Sequence, residues 1–374
     1  MMLGKKIIVY VVNVDWFFIS HRLPLGIEAI ERGYRVYLIT KDTGRFRELE
    51  DRGIICLNMS FDRSGTNPVK DLRVILNLYK IYKKLQPDII HHVTLKPSIY
   101  GTIAARFSRV QAKVINAVSG LGYIFTGDRS YLAKKLMTGL LWFAFSDKKT
   151  SFIFQNPDDC AFYRKLNFLS DKNYKIIKGS GVDEKIFRQK EYYSNDKLRI
   201  VFVARMLKDK GVYEFIKAAL LLKKKYEHVI EFILVGGVDM LNPAFISFED
   251  LNGVCDGDYI KWLGHQDDIK GVYQTADIVT LPSYREGLPK SLVEAMAIGC
   301  PIITTDTIGC RECVEEGFNG FLVPLGDHII LASRIEKLVN DKELRIKMGT
   351  NSRRKMLKDF SLETIIKQTF AFYE

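Results

Sequence analysis

Short apolar runs alternate with longer stretches of helical periodicity along the whole chain. In the first half the runs are KIIVYVVN, YRVYLIT, IICLN, PDIIHHV, KVINAV, SFIFQ and YKIIKG. Short, nearly continuous apolar runs predict strands buried on both faces, as in parallel sheets, with helices as the crossovers between them. Residues 68–85 and 98–109 are two such helical stretches. The polar segment RQKEYYSNDK, Arg188 to Lys197, then breaks the alternation. After it the runs resume as LRIVFVAR, IEFILVGG, YIKWLGH, ADIVTLPS, PIITTD and GFLVPL, and the tail from Leu331 onward is helical and polar on one side. The pattern predicts an α/β protein of two doubly wound domains facing a central cleft. Their expected bounds are 1–187 and 198–374, joined by a linker at 188–197, with the last helix a candidate to pack back on the first domain.

Composition narrows the choice. A chain of 374 residues suits two domains, and 47% apolar with 27% charged residues is an ordinary globular balance. Lys and Arg number 56 against 44 Asp and Glu, a net charge of +12, so an anionic partner is expected: nucleic acid, a lipid headgroup surface or a phosphorylated small molecule. No RNP-like aromatic strand, zinc finger or helix-turn-helix accompanies the charge, so no nucleic-acid partner is expected. The first apolar run meets Asp15 without a small-x-small cleavage site and reads as a strand, not a signal peptide. No apolar run reaches 18 residues, so a cytoplasmic chain is expected.

Two motifs invite a metal or redox reading. Cys310-Arg311-Glu312-Cys313 is a CxxC, but no second CxxC or His pair lies near it to complete a zinc site. Asp256-Gly257-Asp258 precedes a predicted strand, where such a triplet is ordinary turn chemistry. No metal is expected at either.

The predicted strand ends hold the chemistry. RIVFVAR ends at Arg205, and Lys210-Gly211 opens the next helix, so two cations beside free helix amides make an anion site. ADIVTLPS is followed by Glu286, then Gly287, Leu288 and Pro289, which suits the first turn of a helix that Gly299 and Pro301 end. Amides at that loop favour a diphosphate, and Glu294, set back in the helix, can accept two hydrogen bonds from a ribose diol. Glu286, ahead of the helix, can hold sugar hydroxyls.

In this setting PSYREGLPKSLVEAMAIGCPIITTD resembles the E-x7-E segment of the retaining family 4 glycosyltransferases, whose fold is GT-B, two Rossmann-like domains. VFVARMLKDKGVYEFI is similar to their Arg–Lys diphosphate grip, and GSGVDEKIF, WLGHQDDIKGVYQTADIVTLPS and GFNGFLV fit in order. The resemblance spans nearly the whole chain and is strongest from Lys175 to Pro324. DWFFISHRLPLG, DIIHHVTLKPSIYGTIAAR and INAVSGLGYIFTG resemble the subgroup that builds bacterial surface polysaccharides and lipid-linked glycans.

The resemblance implies transfer of a hexose or N-acetylhexosamine from a UDP-sugar to a saccharide on undecaprenyl diphosphate, with retention and without a metal or other cofactor. Arg205 and Lys210 would neutralise the departing diphosphate. Glu294 would bind the ribose, and Glu286 with the Gly287 and Leu288 amides would hold the donor sugar. The alternative, a nucleotide-sugar epimerase of the same fold, needs paired acids and bases to strip a sugar proton, and the E-x7-E segment argues against it.

The chain departs from the family at two places. The stretch after the first strand, VDWFFISHR, has no glycine, and Ser119 stands where many relatives carry a histidine. Ser119, Gly120, His21, His91 and His92 are therefore the candidate donor or acceptor contacts. Within a strand, one of His91 and His92 must point to the opposite face.

YLAKKLMTGLLWFAFSDKK, Tyr131 to Lys149, is the most apolar helical segment and is read as a core helix in preference to one lying on a membrane. Basic clusters at Lys80–Lys84 and Arg106–Lys113 fall in the first domain and suit an anionic membrane surface. The expectation is a protein peripheral on the inner face of the cytoplasmic membrane.

Overall fold

A computed structural model describes residues 5–61, 68–118, 131–147, 150–191 and 196–374. The chain divides into two compact units, Met1–Ser180 with Ile365–Glu374, and Gly181–Thr364. The division falls at Ser180/Gly181, ahead of the polar segment 188–197, and the end of the last helix returns to the first unit.

Among the described residues, the first unit has seven parallel strands: β1 (Ile7–Val14), β2 (Arg35–Lys41), β3 (Ile55–Asn58), β4 (Ile89–Val93), β5 (Lys113–Val118), β6 (Thr150–Phe154) and β7 (Tyr174–Ile176). Their order is β3-β2-β1-β4-β5-β6-β7. Every apolar run of the first half is a strand. Alternation along β1 sends Val9 and Val11 into one core layer and Ile8, Tyr10 and Val12 into the other.

The first layer is covered by helices α4 (Pro68–Leu85), α5 (Leu95–Ser108) and α6 (Tyr131–Phe145). On the other side lie α1 (Asp15–His21), α2 (Leu23–Glu31) and the closing helix, here numbered α14 (Leu362–Tyr373). That closing helix buries Ile365, Phe370 and Tyr373, and Arg32 lies over the Phe370 ring at 4.2 Å. Among the described residues the remaining helices of this unit are α3 (Phe46–Glu50) and α7 (Pro157–Lys165), the latter capped by Asn156, which accepts the Asp159 amide at 2.8 Å.

The second unit has six parallel strands among the described residues: β8 (Leu198–Val203), β9 (Ile230–Val235), β10 (Ile260–Trp262), β11 (Ile278–Leu281), β12 (Ile302–Thr305) and β13 (Gly320–Val323). The order is β10-β9-β8-β11-β12-β13. Its helices are α8 (Val212–Tyr226), α9 (Phe248–Val254), α10 (Ile269–Thr275), α11 (Lys290–Ile298), α12 (His328–Asn340) and α13 (Lys342–Asp359). Helix α11 is enclosed almost all round, with every residue from Leu292 to Ile298 buried. Arg353 fastens α13 beneath it by donating to the Phe187 and Ala297 carbonyls at 2.6 and 2.5 Å.

Candidate active site

The strand order of the second sheet reverses between β8 and β11, the place where doubly wound sheets bind ligands beyond the carboxyl ends of their strands. Two loops meet there. One leaves β8 through Arg205, makes a 3-10 turn at Lys208–Lys210 and enters α8 after Gly211. Gly211 sits at φ +79°, and a Cβ on it would collide with the Pro282 carbonyl, so only glycine lets the loops approach. The other loop leaves β11 at Pro282 and is stitched to the first by the Tyr284 amide, which donates to the Asp209 carbonyl at 2.9 Å.

This stitching brings Lys210 and Glu286 together. The ammonium lies 2.6 Å from Glu286 Oε1, and each side chain is only 16% exposed. Burial pulls the Lys210 pKa down, but the Glu286 charge and hydrogen bond, with Asp209, more than reverse that, and the net shift is upward. Lys210 therefore keeps its charge across the neutral range. Ser283 Oγ lies 3.0 Å from the same Glu286 oxygen and 3.1 Å from the Asp209 carbonyl, with one proton to share between them.

The backbone behind Glu286 is equally fixed. Its amide donates to the Ile308 carbonyl at 3.0 Å, and Gly309 at φ +80° lets that turn pack against the Glu286 carbonyl. The Thr305 and Thr307 hydroxyls both donate to the Ser283 carbonyl.

Gly287 and Leu288 lead from Glu286 into α11. Pro289 occupies the cap position one residue before the helix, not its first turn, and brings no side-chain hydrogen bond to the helix start. Glu294 lies one turn inside, 9% exposed, with Lys290 Nζ 3.3 Å from its Oε1. Burial raises the Glu294 carboxyl above its ordinary value, and the Lys290 charge and hydrogen bond pull the other way. Arg205, half exposed, points NH1 at Asp239 Oδ2, 2.5 Å away. The second unit thus gathers Arg205, Lys210, Glu286, Gly287, Leu288 and Glu294 on loops and a helix start at one end of one sheet. Two cations and two carboxylates there can take an anion and a polyol side by side.

The family descriptions "Glycosyl transferases group 1" and "Glycosyl transferase 4-like" match residues 183–355 and 7–156. A Campylobacter jejuni protein, N,N'-diacetylbacillosaminyl-diphospho-undecaprenol alpha-1,3-N-acetylgalactosaminyltransferase, is 31% identical over 359 residues, covering 90% of this chain and 92% of that one. The chain belongs to this glycosyltransferase family. An Escherichia coli relative of the transferase, UDP-Gal:alpha-D-GlcNAc-diphosphoundecaprenol alpha-1,3-galactosyltransferase, is 26% identical over 355 residues, covering 88% of this chain and 86% of its own. Among solved structures, Anabaena HepE in complex with UDP matches with a TM-score of 0.76 at 19% identity, covering 98% of both chains. That likeness shows the fold, which is GT-B.

The first unit of the glycosyltransferase places its candidates differently. His91 and His92 lie in the core on opposite faces of β4. His91 Nδ1 is 2.6 Å from the Tyr373 hydroxyl. His92 bonds the Tyr82 hydroxyl through Nε2 at 2.9 Å and Asn116 Oδ1 through Nδ1 at 2.8 Å. Because Asn116 Oδ1 only accepts, His92 carries its proton on Nδ1 and takes the Tyr82 proton on Nε2. Gly101 makes room for this ring, since a Cβ there would strike it. His21 is half-buried and stacks on Phe17 with centroids 4.1 Å apart. Ser119 and Gly120 lie outside the described residues.

The missing glycines after β1 have a physical counterpart. β1 runs straight into α1 through Asp15, a buried carboxylate that accepts the Thr43 amide at 2.6 Å, the Thr43 hydroxyl at 2.5 Å and the Trp16 amide at 2.7 Å. Asp256 accepts three amides of its own turn, those of Asp258, Tyr259 and Ile260, as turn chemistry requires. Cys310 and Cys313 are buried thiols.

Sequence reasoning missed Ser283, Lys290 and Asp239. Ser283 and Lys290 carried a signal, standing three residues before Glu286 and four before Glu294. Asp239 carried none, because only the folded loop after β9 brings it to Arg205.

Proposed function

We propose that the enzyme transfers a hexose or N-acetylhexosamine from a UDP-sugar to a saccharide carried on undecaprenyl diphosphate, with retention of the anomeric configuration. The observation that carries this reading is the Lys210–Glu286 pair at the strand-order reversal, with Arg205 on the same loop as Lys210 and Glu294 beside the uncapped start of α11. A UDP-sugar offers a diphosphate to the cations and hydroxyls to the carboxylates. Support for donor and acceptor comes from relatives whose names include UDP-Gal and diphosphoundecaprenol.

In this mechanism the bond between the anomeric carbon and the β-phosphate oxygen breaks, and Arg205 and Lys210 neutralise the charge that develops on the leaving diphosphate. The acceptor hydroxyl forms the new bond on the same face, and its proton passes to the departing phosphate oxygen. Glu286 orients the sugar through its hydroxyls. The reading needs no metal ion.

The same reading places the first unit on an anionic bilayer. Among the described residues no helix is long and apolar enough to cross a membrane. Yet α4 exposes Val69, Leu72 and Leu76, and α5 with α6 expose Phe107, Trp142 and Phe143, with Arg106 5.7 Å over the Phe143 ring. Helix α6 is thus only partly a core helix: Leu141, Ala144 and Phe145 face inward and Trp142 and Phe143 outward.

A thermal-shift screen with UDP, GDP, CMP and ADP, on the wild type and Glu294→Ala, tests the donor assignment. UDP at a hundred times its dissociation constant should add about 2.7 kcal/mol of apparent stability, and the variant should lose that gain. A flat response to every nucleotide would remove the reading. Consumption of UDP-sugar without transfer to a polyprenyl-diphosphate saccharide would point to epimerisation or hydrolysis instead.

A further inference from the structure

We propose that Asp239 is a positioning residue for Arg205, holding one edge of its guanidinium so that the other edge is presented to the donor diphosphate; this rests on the donor-site reading above. Arg205 is half exposed, and among the described residues its ion partner is Asp239, at 2.5 Å on NH1. A guanidinium has five donor hydrogens in a fixed fork, so a carboxylate on one nitrogen leaves the remaining N–H groups for a second oxyanion. An isolated exposed ion pair contributes little to stability, so the fold gains little from it as a strut.

What distinguishes this pair is the rigidity of the loop that carries it. The segment after β9 is fastened to the segment after β8 by four backbone hydrogen bonds. The Ala204 amide donates to Val235 at 3.1 Å, Met206 to Gly237 at 3.0 Å, Ile246 to Met206 at 3.0 Å and Lys208 to Ala244 at 2.8 Å. Gly236 at φ +144° permits the closest approach, since a Cβ there would run into the Ala204 carbonyl. A turn closed by the Asn242 amide on the Asp239 carbonyl, 2.9 Å, fixes the backbone that carries the Asp239 side chain. Arg205 therefore meets the diphosphate with its rotamer already selected, and ligand binding no longer bears the full loss of arginine side-chain freedom.

A double-mutant cycle read by calorimetric titration with UDP tests the assignment. Asp239→Ala should weaken UDP binding about tenfold in the wild-type background and leave it unchanged in Arg205→Ala, because the carboxylate acts through the guanidinium alone. Asp239→Glu, which keeps the charge, should recover part of the loss. Unchanged or tighter UDP binding by Asp239→Ala would overturn the proposal. So would an equal further loss in Arg205→Ala, the behaviour of a merely structural residue. Wild-type protein that takes up no nucleotide would defeat the donor-site reading itself, whereas normal wild-type uptake with an unaltered Asp239→Ala affinity defeats only the assignment of Asp239.

Discussion

The Lys210 ammonium stands 2.6 Å from Glu286 Oε1, with one residue on each side of the point where the strand order of the second sheet reverses. In the proposed reading a diphosphate would compete with Glu286 for Lys210, and sugar hydroxyls would replace the ammonium as partners of the carboxylate. A ligand carrying both groups can divide the pair and leave each member satisfied. One carrying the diphosphate alone strands a partly buried carboxylate, which carries an energetic penalty.

This competition makes Glu286→Gln informative. The amide still accepts hydrogen bonds but no longer holds Lys210 by charge, so UDP should bind as tightly as to wild type or several-fold tighter. Turnover of the nucleotide-sugar should fall about 100-fold, as expected when a group aligned with the reacting sugar is impaired. Titration of UDP beside steady-state kinetics separates the two. A parallel loss of UDP affinity and turnover would mean that Glu286 builds the site without competing for Lys210.

Glu294 should show a conflict between stability and function. Burial lifts its carboxyl above the ordinary 4.5, with Lys290 only partly opposing. The folded chain then holds that proton more tightly than the unfolded chain, so the ionised group loses stability as pH rises through the window above 4.5. Glu294→Gln should raise the midpoint at pH 7 by roughly a few degrees, with the gain fading as pH falls towards 4.5. The same variant should bind UDP about tenfold more weakly, since hydrogen bonds to a charged acceptor are the stronger ones. A lower midpoint at pH 7 would show that the Lys290 pair outweighs burial.

The fold was legible because the central parallel strands are sheathed on both faces and so read as apolar runs, as IEFILV does for β9, buried along its whole length. The two loops of the candidate site were legible because glycine and proline mark them: Gly211 and Gly309 occupy positions a side chain cannot, and Pro289 stands at the α11 cap. Two features hid from the sequence. His91 and His92 look like chemistry, but their tyrosine and asparagine partners come from other elements, α14, α4 and β5, and meet them only after folding. Asp239 looks like one more loop acid until β9 is paired with β8.

His92 should make the chain acid-sensitive. Burial lowers its pKa from 6.5 to about 4, with the Asn116 hydrogen bond opposing. A histidine lowered on folding contributes stability that is fully present above pH 6.5 and is lost as pH falls through 4. The loss is on the order of 3 kcal/mol. His91 shifts the same way, by burial first and then by the charges of Arg22 and His92. Urea midpoints should therefore decline between pH 6.5 and 4, and His92→Gln should flatten that decline. A slope unchanged in the variant would assign the sensitivity elsewhere.

The proposed membrane association would turn on α4. Val69, Leu72 and Leu76 recur at helical spacing on one exposed face, and the row continues through Lys80 and Lys83, with Lys84 beside it. At 1.5 Å per residue this face runs about 20 Å, apolar at one end and cationic at the other. Lysines near an anionic surface contribute about 1 kcal/mol each and are screened by salt, whereas inserted leucines are not. Leu72→Glu with Leu76→Glu removes the apolar anchor and adds two negative charges, so co-sedimentation with phosphatidylglycerol vesicles should fall at least tenfold. The UDP-induced thermal shift should remain as in wild type, which separates lost docking from lost folding. Wild-type binding to phosphatidylglycerol should also weaken at 0.5 M salt and be small on phosphatidylcholine. Undiminished sedimentation of the double variant would move the membrane contact off α4, and wild-type protein that ignores both kinds of vesicle would remove the peripheral assignment altogether.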